Sequence, residues 1–185
     1  MLTAVALFSF GATTQAQFNY SSTPNSFVFF DGTGRFVFSS GVNNFQITSG
    51  TAAGLTGQLT GMYTIGTVTT SGDLSTAAIT GSGTFVIFDG SNTLTANLVW
   101  IDVQQMGTGD SLNVSGVVNL TGVTYGGANP DLQALASAGS GSNVLSFHFS
   151  PAISLSDLTS GSGSNQASFS GTVGAVSSPT PAPTP

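Results

Sequence analysis

Between Gly81 and Tyr125, apolar side chains recur at every second position through three successive runs, and this pattern restricts the segment to sheet. Phe85-Val86-Ile87-Phe88 is followed by the turn sequence Asp89-Gly90-Ser91-Asn92. In the next run Leu94, Ala96, Leu98 and Trp100 share one face. After a second turn at Gly107-Thr108-Gly109-Asp110, Leu112, Val114, Val118 and Leu120 alternate with Ser111, Asn113, Asn119 and Thr121. A period of two belongs to a strand with one buried face; on a helix the same residues would be scattered around the whole circumference. Three such runs with turn residues between them read as an antiparallel meander.

The rest of the chain repeats the pattern in shorter pieces. Phe27 to Phe38 reads as a tight hairpin, with Asp31-Gly32 supplying positive-φ turn positions. Further strands are expected at 45–48, 55–59, 62–68, 144–149 and 167–175. One helix is expected near 129–139: Asn129 is placed to cap it, Pro130 suits the first helical position, Asp131 sits near the positive dipole end and Gly139 ends it. The expected fold is all-β, an antiparallel β-sandwich of jelly-roll type, with that helix covering one open end. At 185 residues the chain suits one core. The expected division is a signal-peptide remnant at 1–16, a single β-sandwich domain at 17–175 and a Pro/Thr-rich linker at 176–185.

Composition narrows the function classes. Only 4% of residues are charged: seven Asp face a single Arg, Arg35, and the net charge is −6. Nucleic acid is excluded as a partner, because binding it requires a basic footprint that displaces counterions. An anionic membrane surface is excluded for the same reason. No cysteine is present, so neither a disulfide framework nor a thiolate metal site can form. Hydrophilicity comes from Ser, Thr, Asn and Gly. Charge is the usual guard against edge-to-edge strand pairing, so open edges at 50–60 and 165–173 would favour self-association into an oligomer or fibre.

The two ends carry a different signal. Leu2 to Phe10 is apolar, too short for the ~20 residues of a membrane-spanning helix, and Thr14-Gln15-Ala16 places small residues where a signal peptidase reads. From Val176 the chain runs Ser-Ser-Pro-Thr-Pro-Ala-Pro-Thr-Pro, an extended spacer composition. With the low-charge Gly/Ser/Thr-rich β region between them, these ends give a chain that resembles bacterial secreted proteins of the PEP-CTERM, exosortase-sorted type. In that group a Pro-Glu-Pro motif, a hydrophobic helix and a basic end follow such a linker. These 185 residues carry none of the three, so the resemblance covers architecture and tail composition. It implies export and association with the cell surface or an exopolysaccharide matrix, and it carries over no active-site residue.

Candidate chemistry is sparse. Gly109-Asp110-Ser111-Leu112 spells the nucleophile block of GDSL esterases, but the lone His148 has Leu145 three residues before it, where that family's base motif needs Asp. His148 lies between Phe147 and Phe149 and is expected to face solvent. Of the seven Asp, Asp102 stands out by continuing the Leu98–Trp100 parity at a strand end, while Asp31, Asp73, Asp89 and Asp110 occupy turns. No cofactor is expected; calcium is the one metal left open, through Asp and Asn oxygens in turns.

The expected function is that of a non-enzymatic, exported surface or matrix protein, self-assembling through β-edge pairing. One alternative is a carbohydrate-binding module in which Trp100, Tyr63 and Tyr125, with Tyr20, stack on sugar rings. A hydrolase is the other alternative and has the least support.

Overall fold

A computed structural model describes residues 17–107, 113–161 and 163–176. Among these described residues there are twelve strands: β1 (Gln17–Ser22), β2 (Val28–Phe30), β3 (Arg35–Phe38), β4 (Phe45–Ile47), β5 (Thr56–Leu59), β6 (Met62–Ile65), β7 (Thr69–Ser71), β8 (Leu74–Phe88), β9 (Thr93–Met106), β10 (Asn113–Thr124), β11 (Ser140–Phe149) and β12 (Asn165–Ala175). The helix α1 (Pro130–Ala138) lies between β10 and β11, and a 3-10 turn spans Asp157–Thr159. The all-β expectation holds, but the sandwich does not. The strands form an antiparallel closed eight-stranded barrel with extra strands.

The closure has a definite construction. Strands β8, β9, β10, β11 and β12 pair in that order as one curved wall, and three short strands bridge the gap between β12 and β8. The bridge is made twice. Toward one end Ser170–Gly174 of β12 pairs with β1, β1 with β4, β4 with β5, and β5 with Phe85–Phe88 of β8. Toward the other end Asn165–Ala167 of β12 pairs with β2, β2 with β3, β3 with β6, and β6 with Ile79–Ser82 of β8. Each long strand at the gap thus serves two partners in succession. Register shifts between Ala78 and Gly83 on β8, and at Val117/Val118 and Thr121/Thr124 on β10, bend the wall far enough to meet itself. Period-two alternation predicts one buried face, and a barrel satisfies that requirement as well as a sandwich does.

Closure also removes the edges expected at 50–60 and 165–173. Strand β5 is paired by both β4 and β8, and β12 by β11 on one side and by β1 and β2 on the other. Strand addition at those two stretches has no unpaired backbone to complete.

The interior is filled. Phe18, Phe30, Phe36, Phe45, Phe85, Phe147 and Phe169 are each at most 1% exposed; Phe45 and Phe85 pack with Tyr20 in one ring group, and Phe36 centres another, 5.1 Å from Tyr63, 5.2 Å from Phe30 and 5.4 Å from Trp100 between ring centres. Burying a side chain of this size contributes about 1.5–3 kcal/mol. Inward-pointing glycines make the room: a Cβ on Gly57 would collide with Phe45, on Gly116 with Trp100, and on Gly171 with Tyr20. A ring lying over a glycine on a neighbouring strand is a device that stiffens sheets while admitting bulky partners.

Both ends are plugged. At the end where β8 turns into β9, α1 inserts Leu132 and Leu135, both fully buried. Its ends match the sequence reading: the Asn129 side chain accepts from the Asp131 and Leu132 N–H groups, Pro130 is first, and Gly139 closes the helix at φ 69°. At the opposite end Leu155 and Leu158 fill the mouth. Gln105, 3% exposed, accepts from the Leu155 N–H (2.7 Å) and donates to the Ile153 carbonyl (3.0 Å).

Candidate functional site

The aromatic residues proposed from sequence for stacking on sugars do not share a face. Trp100 (7% exposed) and Tyr63 (0%) are core residues, as is Tyr20 (1%), and none presents a ring to a ligand. Burial raises the Tyr63 hydroxyl to about 12, although the Trp100 indole lies close enough to oppose part of the rise. The Tyr63 hydroxyl donates to the Thr60 carbonyl (3.0 Å), while Trp100 Nε1 has no partner in hydrogen-bond geometry. Tyr20 is likewise driven upward by burial, and its hydroxyl donates to Asn143 Oδ1 at 3.0 Å. Even-numbered positions of β9 face inward up to Trp100, which placed Trp100 with the core side chains.

Tyr125 is different. It follows β10, is half-buried, and forms one wall of an open groove of about 580 Å³ against α1. Its hydroxyl donates to Asp89 Oδ2 in the β8–β9 turn and accepts from the Asn129 N–H (3.1 Å), so the ring is tied to two separate loops. Asp89 Oδ1 accepts from the backbone N–H groups of Ser91 (2.8 Å) and Asn92 (2.5 Å). The Tyr125 hydroxyl and these two N–H groups hold the Asp89 carboxyl below its usual range. Burial, with the Asp89 carboxylate beside it, holds the Tyr125 phenol above its own. Across the groove Gln133 Nε2 donates to the Gly127 carbonyl (2.9 Å), and Ser137 lies one helical turn further along α1. Sequence reading identified Tyr125 but took Asp89 only as a turn residue and missed Gln133; a Gly-Gly pair between an aromatic residue and a capped helix was the available signal.

The same end is fastened by a second set of bonds. Asp131 Oδ2 accepts from the Thr51 N–H (2.5 Å) and the Ala52 N–H (3.2 Å), and Asn129 Nδ2 donates to the Thr51 carbonyl (3.0 Å). These bonds fix α1 against the loop between β4 and β5.

Other sequence candidates fall elsewhere. At Ile101 the pairing slips by one residue, so Val103 and Gln105 take the inward positions and Asp102 leaves that face, half-buried and bonded through Oδ2 to Gln104 Nε2 (3.0 Å). His148 is exposed, as expected, with Nε2 3.0 Å from Ser170 Oγ on the outer wall. Ser111 and Asp110 lie outside the described residues, as do 1–16 and 177–185. Among the described residues no group of three or more potential metal ligands occurs, and no helix is long and apolar enough to cross a membrane.

The outer wall carries its own pattern. Hydroxyl groups pair across neighbouring strands at Thr60–Thr84 (2.7 Å), Thr70–Ser75 (2.9 Å), Thr69–Thr76 (3.1 Å) and Thr95–Thr124 (2.8 Å), and Thr172 donates to Asn19 Oδ1 (2.8 Å). Each such pair contributes roughly 0.2–1 kcal/mol to strand pairing. The chain matches no protein-family model, no curated protein and no solved structure.

Proposed function

We propose that this chain is a non-enzymatic protein exported to the cell surface or extracellular matrix, where its outer wall contacts neutral polysaccharide. One observation carries the reading: the barrel's aromatic side chains fill the interior, and outside it presents cross-strand pairs of Thr, Ser and Asn groups, with a few exposed apolar side chains such as Val99, Ile101, Met106 and Val144 beside them. Hydroxyl and amide groups exchange hydrogen bonds with sugar hydroxyls on near-equal terms with water. With seven acidic residues and one basic residue, the chain as a whole repels polyanions.

Localisation tests it. Antibody raised against the barrel is expected to label intact cells or the material around them. Labelling that appears only after cells are permeabilised would overturn the proposal.

A further inference from the structure

We infer that the groove between Tyr125 and α1 is a binding subsite for a neutral saccharide, the place where the matrix-facing wall engages a single sugar unit. This rests on the proposed function and names the point of contact. The groove is shallow and open, with about 580 Å³ of space beside the ring, the shape of a platform on which one sugar unit can lie. Tyr125 supplies the one aromatic wall on the outside of this end of the barrel among the sequence-proposed aromatics, since Tyr20, Tyr63 and Trp100 are all enclosed.

Rigidity favours binding here. The Tyr125 hydroxyl is held by Asp89 on one side and by the Asn129 N–H on the other, so the ring loses little further freedom when a ligand stacks on it. Gly126 and Gly127 carry no side chains, which keeps the floor open. A Cβ on Gly127 would strike the Tyr125 hydroxyl and Asp89 Oδ2, so this glycine is also required for the ring to reach its anchor. Gln133 uses one amide hydrogen on the Gly127 carbonyl, which leaves its Oε1 and second hydrogen for ligand hydroxyls. Thr124 and Ser137 complete a rim of uncharged donors and acceptors.

Charge decides the ligand class. The nearest carboxylate, Asp89, already accepts from Tyr125, Ser91 and Asn92, and Arg35 is at the β2–β3 hairpin on the opposite end of the barrel. A carboxylated or sulfated sugar would meet this carboxylate without a cation to offset it, whereas a neutral pyranose offers an apolar C–H face to the ring and hydroxyls to Gln133 and Ser137.

The test is a titration of the full 185-residue chain, followed by amide NMR, with cellohexaose, maltohexaose and mannohexaose, and with hexagalacturonate as the charged counterpart. Saturable shifts at Thr124, Gly126, Gln133 and Ser137 with at least one neutral sugar, and none with hexagalacturonate, are expected. Tyr125→Ala is expected to weaken binding about tenfold or more, the usual cost of removing an aromatic anchor. Because that variant also releases two loops, Ser137→Trp serves beside it: this exposed helix position fills the groove without touching the core, and it too is expected to abolish the shifts. Binding that survives both substitutions, or that is as strong for hexagalacturonate, overturns the subsite. Shifts confined to the outer wall away from α1 overturn the subsite and leave the proposed function standing; no shift anywhere with any neutral sugar counts against both.

Discussion

Replacing Gly171 with alanine adds one methyl group and tests how the barrel is packed. Gly171 lies in β12, paired with Leu145 and Tyr20, and its missing side chain would point inward. A Cβ there stands 2.4 Å from Tyr20 Cζ and 2.4 Å from the Tyr20 hydroxyl oxygen. Ordinary contact begins near 3.4 Å, so the ring must retreat by about 1 Å. It has nowhere to go, with Phe45 at 4.7 Å and Phe85 at 5.8 Å between ring centres. Forcing a methyl into a packed core costs about 1–3 kcal/mol. Moving the ring also breaks the bond to Asn143, a fully buried amide, for a further ~1–3 kcal/mol. Against this, alanine restricts the unfolded chain and returns about 0.4–1 kcal/mol. The net expectation is a loss of about 2–4 kcal/mol, read as a lower guanidinium midpoint at unchanged slope. In a Tyr20→Leu background the same substitution is expected to cost almost nothing more, because its collision partner is gone. A Gly171→Ala protein as stable as the parent would refute the packing argument.

Two further perturbations separate the ends of the barrel. The Asp89–Tyr125 bond should add stability only between two titrations. The Asp89 share is present above about pH 4 and lost as the pH falls through its lowered folded-state value, from an ordinary 3.8. The Tyr125 share is present below about pH 10 and lost as the pH rises through its raised value, from an ordinary 10.0. Thermal midpoints measured across pH should show both limbs in the parent, whereas Tyr125→Phe should lose the alkaline limb and keep only the part of the acid limb that the Ser91 and Asn92 N–H groups supply; identical profiles would count against the bond. At the other end, Gln105→Ala strands the Leu155 N–H and the Ile153 carbonyl and should cost about 2–4 kcal/mol in denaturant unfolding. Gln46→Ala, which removes an exposed side-chain bond to the Gly54 carbonyl, should cost no more than about 1 kcal/mol, and equal losses would contradict the end-plug assignment.

Local structure was legible in the sequence because local rules govern it. The inward set Leu94, Ala96, Leu98 and Trp100 and the capped helix from Asn129 to Gly139 follow from period, cap and turn chemistry alone. Closure was not legible, since whether β12 meets β1 and β2 depends on accumulated bend from register shifts that no short window contains. The same blindness misplaced Asp102: parity carried past Trp100 fails where Ile101 is inserted. For the site, the sequence offered Tyr125 only as one of several aromatic residues able to stack on sugar rings. Its distinction from Trp100 and Tyr63 is one of burial, and an alternating strand says which residues share a face without saying that the face is enclosed by a ring of strands.

Adsorption to an insoluble neutral polysaccharide, measured across a range of salt concentration, tests the central claim most directly. Screening weakens contacts between exposed charges and leaves hydroxyl and stacking contacts unaltered. With one Arg and seven Asp in the chain, the account predicts saturable adsorption of the same strength from about 10 mM to about 1 M salt, over which the Debye length falls from ~30 to ~3 Å. Adsorption that collapses as salt rises, or none at either extreme, would contradict a neutral, hydroxyl-mediated matrix contact.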